Sequence, residues 1–216
     1  MRAPRVLAVL LAAWMALWAL PLSAGAAETG FDDVGETDWY APAVQYAVEH
    51  RLFQGTDARH FSSEAPMTRG MFVTVLGRLC GVDAGQYPES FFLDVKTSQY
   101  FSPYVQWAAS YEIVNGVGEY SFAPGASITR EEIAVMLYRF AAATGNETSF
   151  LPGFVGLFRD GETIHSWAKD AMEWAVSHGV LAGYGGELSP RGTATRAQYK
   201  GVTGAAFLKG YPEAEQ

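Results

Sequence analysis

Cysteine is almost missing from this chain: Cys80 is the one thiol in 216 residues. No intramolecular disulfide can form, so stability has to come from packing. Cys80 follows Phe72, Val75, Leu76 and Leu79 at helical spacing and reads as a small apolar side chain at the core. Positive charge is also scarce. Fifteen Lys and Arg face 23 Asp and Glu, for a formal charge of −8. A basic footprint is absent, which excludes nucleic acid as a partner. Any anionic partner must be held by locally placed cations against the overall field. Histidine is sparse: His50, His60, His165 and His178 follow no metal-ligand spacing. His165 beside Ser166 is not a triad, and Glu131 and Glu132 read as dipole-favoured residues in the first turn of a helix. Nothing here asks for catalysis, a metal or a cofactor. Disorder is excluded by 49% hydrophobic against 18% charged residues.

One long apolar run is present, Val6 to Leu20, after Arg2 and Arg5 and before Pro21 and the small residues Ala24-Gly25-Ala26. This order reads as a secretory signal peptide over 1–27. About fifteen apolar residues fall short of the roughly twenty a spanning helix needs, so no membrane span is expected in the mature form.

The rest of the chain is one unit written three times. Residues 31–79 lie over 92–140 without a gap. Phe31, Asp33 and Val34 match Phe92, Asp94 and Val95, Thr68-Arg69 match Thr129-Arg130, and Arg78 matches Arg139. A looser third copy starts at Phe158 and carries Asp160, Trp174, Gly183 and Thr195-Arg196. The units divide as 28–84, 85–145 and 146–210, with a tail at 211–216.

Each copy holds two helical patterns. The first buries Val44, Ala47, Val48 and Leu52, or Val105, Ala108, Ala109 and Ile113, or Met172, Ala175, Val176 and Val180. Ser102-Pro103 reads as its start, a capping hydroxyl before proline. Gly55, Gly116 and Gly183 follow the last apolar residues, where a left-handed C-terminal cap is expected. The second pattern carries Phe72, Val75, Leu76 and Leu79, or Ile133, Met136, Leu137 and Phe140. Thr129 with Glu132 forms a capping box, and Thr195 with Gln198 its variant. Between the helices, Phe61, Phe122 or Leu188 is an apolar anchor in a polar connector. The fold class is therefore all-α, three helix–loop–helix units that must share a core, since about fifty residues cannot bury enough alone. A pseudo-threefold bundle with three grooves is the expected packing. The third copy's second pattern, Tyr199, Val202, Thr203 and Ala206, is weak. Gly201 and Gly204 interrupt it, and Ala205 stands where Arg78 and Arg139 stand.

The motif set resembles the S-layer homology module: F-x-D-V at 31–34 and 92–95, an aromatic at Trp39, Tyr100 and Trp167, glycine at 55, 116 and 183, and T-R at 68–69, 129–130 and 195–196. T-R-E-E at 129–132 is closest to the family signature, while Gly161 replaces the valine in copy three. The resemblance implies a three-pronged helical fold at the bacterial cell surface. It would bind a secondary cell-wall polysaccharide, often pyruvylated, non-covalently in grooves between copies. The site residues so implied are Asp33, Trp39, Gly55 and Arg69; Asp94, Tyr100, Gly116 and Arg130; and Asp160, Trp167, Gly183 and Arg196. Other partners in view are peptidoglycan itself or another surface protein, and a protein-binding face would show an exposed apolar patch.

Two readings stay open for most of these residues. The arginine after each capping threonine is unfavourable for the helix dipole. It is explained either by an anion site or by an ion pair to its own copy's Asp33, Asp94 or Asp160. The aromatics either stack on sugar or staple the first helix, and the glycines either cap a helix or admit a ligand. Phe31, Phe92 and Phe158 read as core. With copy three degraded, Arg196 is expected to matter less than Arg69 or Arg130.

Overall fold

The structure is a computed structural model that describes residues 29–197. The expected signal peptide, the tail and the weak second helical pattern expected in copy three, with Gln198, Gly201, Gly204 and Ala205, lie outside the described residues. Among the described residues there are five α-helices and no sheet: α1 Ala41–Glu49, α2 Arg69–Leu79, α3 Ser102–Ser110, α4 Arg130–Ala143 and α5 Lys169–Ser177. Copies one and two each supply a helix pair, and α5 is the first helix of copy three.

The capping box is present as expected. The Thr129 side chain accepts from the Glu132 N–H, and the Glu132 carboxylate accepts from the Thr129 N–H at 2.8 Å. Thr68 caps α2 by accepting from Met71 N–H. Two expectations need correction. Ser102 is not a cap: Phe101 occupies that place, and the buried Ser102 hydroxyl has no hydrogen-bond partner among the described residues. The glycines at 55, 116 and 183 are not helix caps either. The first helices end at His50, Tyr111 and His178. The left-handed residue after each is Arg51, Glu112 or Gly179, at φ 55°, 57° and 66°. The later glycines are needed for close packing. A Cβ on Gly116 would lie 2.6 Å from Phe92 Cε1 and 2.5 Å from the Ser121 carbonyl oxygen, at φ +75°.

The core is continuous across the copies. Val44, Val105 and Met172 from the first helices join Phe72, Leu76, Ile133 and Leu137 from the second ones, all buried. The connector anchors Phe61, Phe122 and Leu188 are at most 2% exposed, which explains one apolar residue in each polar loop. Of the three motif phenylalanines, Phe92 is buried, while Phe31 and Phe158 are half-buried against the core. Gly161 stands where Val34 and Val95 pack because the Val155 carbonyl fills the space a Cβ would need.

The copies are stitched by two rings of backbone hydrogen bonds that run round the three copies in opposite senses. Met67 N–H donates to the Ala194 carbonyl (2.9 Å), Ala194 N–H to Ile128 (3.1 Å), and Ile128 N–H to Met67 (2.9 Å). One residue pair further out, Arg69 N–H donates to Ala126, Arg130 to Gly192 and Arg196 to Ala65, at 2.9–3.0 Å. The first N–H groups of α2 and α4, which have no partner inside a helix, are thus satisfied by the next copy.

Candidate functional site

The arginine side chains run in the same sense as the backbone N–H groups of Arg69, Arg130 and Arg196. Arg69 Nε–H donates to the Phe122 carbonyl (2.9 Å), Arg130 to Leu188 (2.7 Å) and Arg196 to Phe61 (2.8 Å). Arg196 also donates to the Gln54 carbonyl (2.7 Å), and Arg130 to that of Ala182 (2.6 Å). Each guanidinium therefore crosses from its own copy to the connector of the next, and this offsets its unfavourable place at a helix N-terminus. The ion pair with the aspartate of the same copy, one of the two readings left open, is not formed among the described residues. The carboxylate reached by Arg69 is instead Glu132 of copy two, at 2.7 Å. Burial lowers all three guanidinium pKa values, Arg196 to about 10, against the opposing pull of Asp94, Asp160 and Asp33 across the copy boundary. A value of about 10 leaves Arg196 a cation at neutral pH.

The aspartates have another task. Asp33 accepts the N–H groups of Phe61 and Ser62, Asp94 those of Phe122 and Ala123, and Asp160 those of Leu188 and Ser189, all within 2.6–2.8 Å. Ser62, Ala123 and Ser189 sit at positive φ, 51–57°, a strained choice for residues with a side chain, and the carboxylate holds them there. Burial raises the Asp33 and Asp94 pKa values, but these N–H donors outweigh it and hold both below 3.8. The carbonyl that receives the neighbouring arginine lies between these two N–H groups.

Two cavities result, and their linings correspond residue for residue. The first, of 440 Å³, is formed by residues 52–56 and by Met71, Thr74, Val75 and Arg78 of α2, with Tyr100 from copy two and Arg196 from copy three. The second, of 320 Å³, is formed by residues 113–117 and by Glu132, Val135, Met136 and Arg139 of α4, with Trp167 from copy three and Arg69 from copy one. All three copies contribute to each cavity. Of the expected site residues, Gly55, Tyr100 and Arg196 meet in the first, and Gly116, Trp167 and Arg69 in the second. Asp33 and Asp94 line neither; they fix the connectors behind them. Trp39, Arg130, Asp160 and Gly183 also line neither of these two cavities.

The aromatics are presented to solvent. Trp39, Tyr100 and Trp167 are 57%, 54% and 56% exposed, while Tyr40 and Phe101 beside two of them pack on the core. A stapling role therefore falls to the following residue. Trp167 stacks on His165 with ring centroids 5.6 Å apart. His165 Nδ1 lies 2.6 Å from Glu131 Oε1, a carboxylate only 3% exposed. Glu131 thus does more than favour a helix dipole: it ties the Trp167 segment of copy three to α4 of copy two. Arg78 and Arg139, whose recurrence between copies the sequence shows, were not among the expected site residues, yet both line a cavity. Arg78 donates to the Leu52 carbonyl (3.3 Å).

This geometry can be set beside known proteins. The S-layer homology domain matches residues 30–70, 91–134 and 157–200. The chain belongs to the S-layer homology domain family. Among similar proteins is an endoglucanase of Bacillus sp. (strain KSM-635), 32% identical over 83% of this chain and 19% of that protein. The S-layer protein sap of Bacillus anthracis is 25% identical over 80% of this chain and 20% of its own length. A cellulosome-anchoring protein of Acetivibrio thermocellus is 28% identical over 68% of this chain and 33% of its own. The chain thus spans a third or less of these relatives. Among the described residues no helix is long and apolar enough to cross a membrane.

Proposed function

We propose that this chain holds a protein on the bacterial cell wall by binding a secondary cell-wall polysaccharide, without catalysing a reaction. Location at the cell surface follows from family membership and from relatives named as S-layer and cellulosome-anchoring proteins. The polysaccharide reading is carried by one observation. Two equivalent cavities each join an exposed aromatic ring, a buried guanidinium and a glycine-bearing loop, drawn from all three copies. An exposed ring offers a face to sugar C–H groups, and a guanidinium offers a planar fork to a carboxylate. The three copies are arranged about a pseudo-threefold axis in this reading, with Trp39, Arg130 and Gly183 serving the third groove and Asp160 fixing its connector. The endoglucanase likeness covers 19% of that protein and brings no catalytic role with it.

The test is sedimentation of the protein with purified walls before and after the non-peptidoglycan polymer is stripped. Pelleting with intact walls and not with stripped ones is expected. Equal pelleting with stripped walls would assign the chain to peptidoglycan instead. Pelleting only with walls that retain their surface proteins would make it a protein-interaction module.

A further inference from the structure

The two cavities differ at one corresponding position. In the second, Glu132 uses one carboxylate oxygen for the cap of α4 and places the other 2.7 Å from Arg69. In the first, that place is held by Met71. Arg196 donates to the carbonyls of Phe61 and Gln54 and lies over the rings of Phe53 and Phe61, 4.2 and 4.6 Å from their centroids. Among the described residues, no carboxylate lies within ion-pair reach of it. The first cavity is therefore lined by two guanidinium groups and no acid, the second by two guanidinium groups and one acid. The distant aspartates do not distinguish them, since Asp33 acts on Arg196 as Asp94 acts on Arg69.

From this, and resting on the wall-polysaccharide reading above, we propose that the cavities divide the polymer between them. The Arg196–Arg78 cavity takes a carboxylate-bearing sugar residue, and the Arg69–Glu132 cavity takes an uncharged one. Met71 and Glu132 are the residues that set the difference. A carboxylate entering the first cavity meets a buried cation, Arg196, and a half-buried one, Arg78, with no acid in the lining. One entering the second must displace Glu132 or lie beside it, and like charges at close range repel strongly in such partly buried surroundings.

Met71→Glu tests this without damaging the fold, because it rebuilds at Thr68 the capping box seen at Thr129. The probes are the polysaccharide released from purified walls and the same material with its carboxyl groups reduced to alcohols, measured by titration calorimetry. Wild-type protein is expected to prefer the native polymer. Met71→Glu is expected to weaken native-polymer binding about ten- to a hundredfold, the usual weight of a charge-assisted contact, and to leave reduced-polymer binding unchanged. Glu132→Met, checked for helical signal, is expected to strengthen native-polymer binding. Wild-type protein that binds both forms alike would overturn this division alone. So would a Met71→Glu variant that keeps its affinity for the native form or loses both forms equally. Wild-type protein that binds neither form would overturn the polysaccharide reading and this inference with it.

Discussion

Asp94 was a candidate ligand contact, and the structure gives it a different task that can be measured. Its carboxylate accepts from Phe122 N–H at 2.8 Å, Ala123 N–H at 2.7 Å and Ser121 Oγ at 2.9 Å. Asp94→Asn keeps the shape but leaves one acceptor oxygen and turns an NH2 group toward a donor. Hydrogen bonds to a charged acceptor contribute about 1.5–3 kcal/mol against about 0.5–1.5 for neutral ones. Allowing for solvent screening of an exposed carboxylate, a loss of about 1–2 kcal/mol is expected. For a chain of this size that lowers Tm by about 3–6 °C.

The pH dependence gives this a second handle. The folded-state pKa of Asp94 is depressed below 3.8, so the native state binds this proton more weakly than the unfolded state. The stabilisation is complete above 3.8, shrinks as pH falls through the lower folded value, and disappears once the native carboxyl is protonated. Thermal melts of wild type and Asp94→Asn should therefore differ at pH 7 and converge in strong acid. Wall binding by the variant, measured well below its Tm, should persist. An unchanged Tm with lost binding would refute the structural role and return Asp94 to the ligand. A Tm difference undiminished in acid would show that the charge is not its origin.

Gly116→Ala places a methyl group 2.5–2.6 Å from Ser121 O and Phe92 Cε1 at φ +75°, and should cost about 2–4 kcal/mol in urea unfolding; a change below about 0.5 kcal/mol would contradict the packing account. Arg196→Ala should weaken wall binding about ten- to a hundredfold and more than Arg130→Ala, with Arg196→Lys a poor rescue because it keeps charge without the fork. Binding isotherms on intact walls, alongside melts, check that order, which reverses the expectation drawn from the weak copy-three helix.

Much of the fold can be read from the letters because repetition exposes it. The shared spacing of Val44, Val105 and Met172, the Thr129–Glu132 box and the anchors Phe61, Phe122 and Leu188 all keep the places their patterns suggest. Repetition shows what recurs, but not which copy a recurring residue touches. An ion pair between each arginine and the aspartate of its own copy was one of two readings open from the letters, and each arginine in fact reaches the next connector. Likewise a glycine after a helix suggests a cap. At Gly116 the constraint comes from Phe92, a residue 24 positions earlier that only the folded chain brings onto it. Met71 went unnoticed because it breaks a pattern that Glu132 keeps, and a lone exception carries no signal until its counterpart is found against Arg69.

The cyclic exchange also changes what damage to one copy means. If each copy built its own groove, the substitutions at Gly201, Gly204 and Ala205 would discredit Arg196 and Trp167 together with the helix that follows them. In the structure these two residues leave their copy, Arg196 to complete the cavity walled by α2 and Trp167 the one walled by α4. Both of those helices carry the second arginine, Arg78 or Arg139, that Ala205 replaces in copy three. The first two cavities need from copy three only the segment around Trp167 and the turn holding Arg196. That turn is fixed by the Ala194 and Arg196 N–H bonds to Ile128 and Ala65. A poor second helix pattern in copy three is therefore compatible with two complete cavities. The charge difference between those two is then set by the walls they keep, Met71 in one and Glu132 in the other.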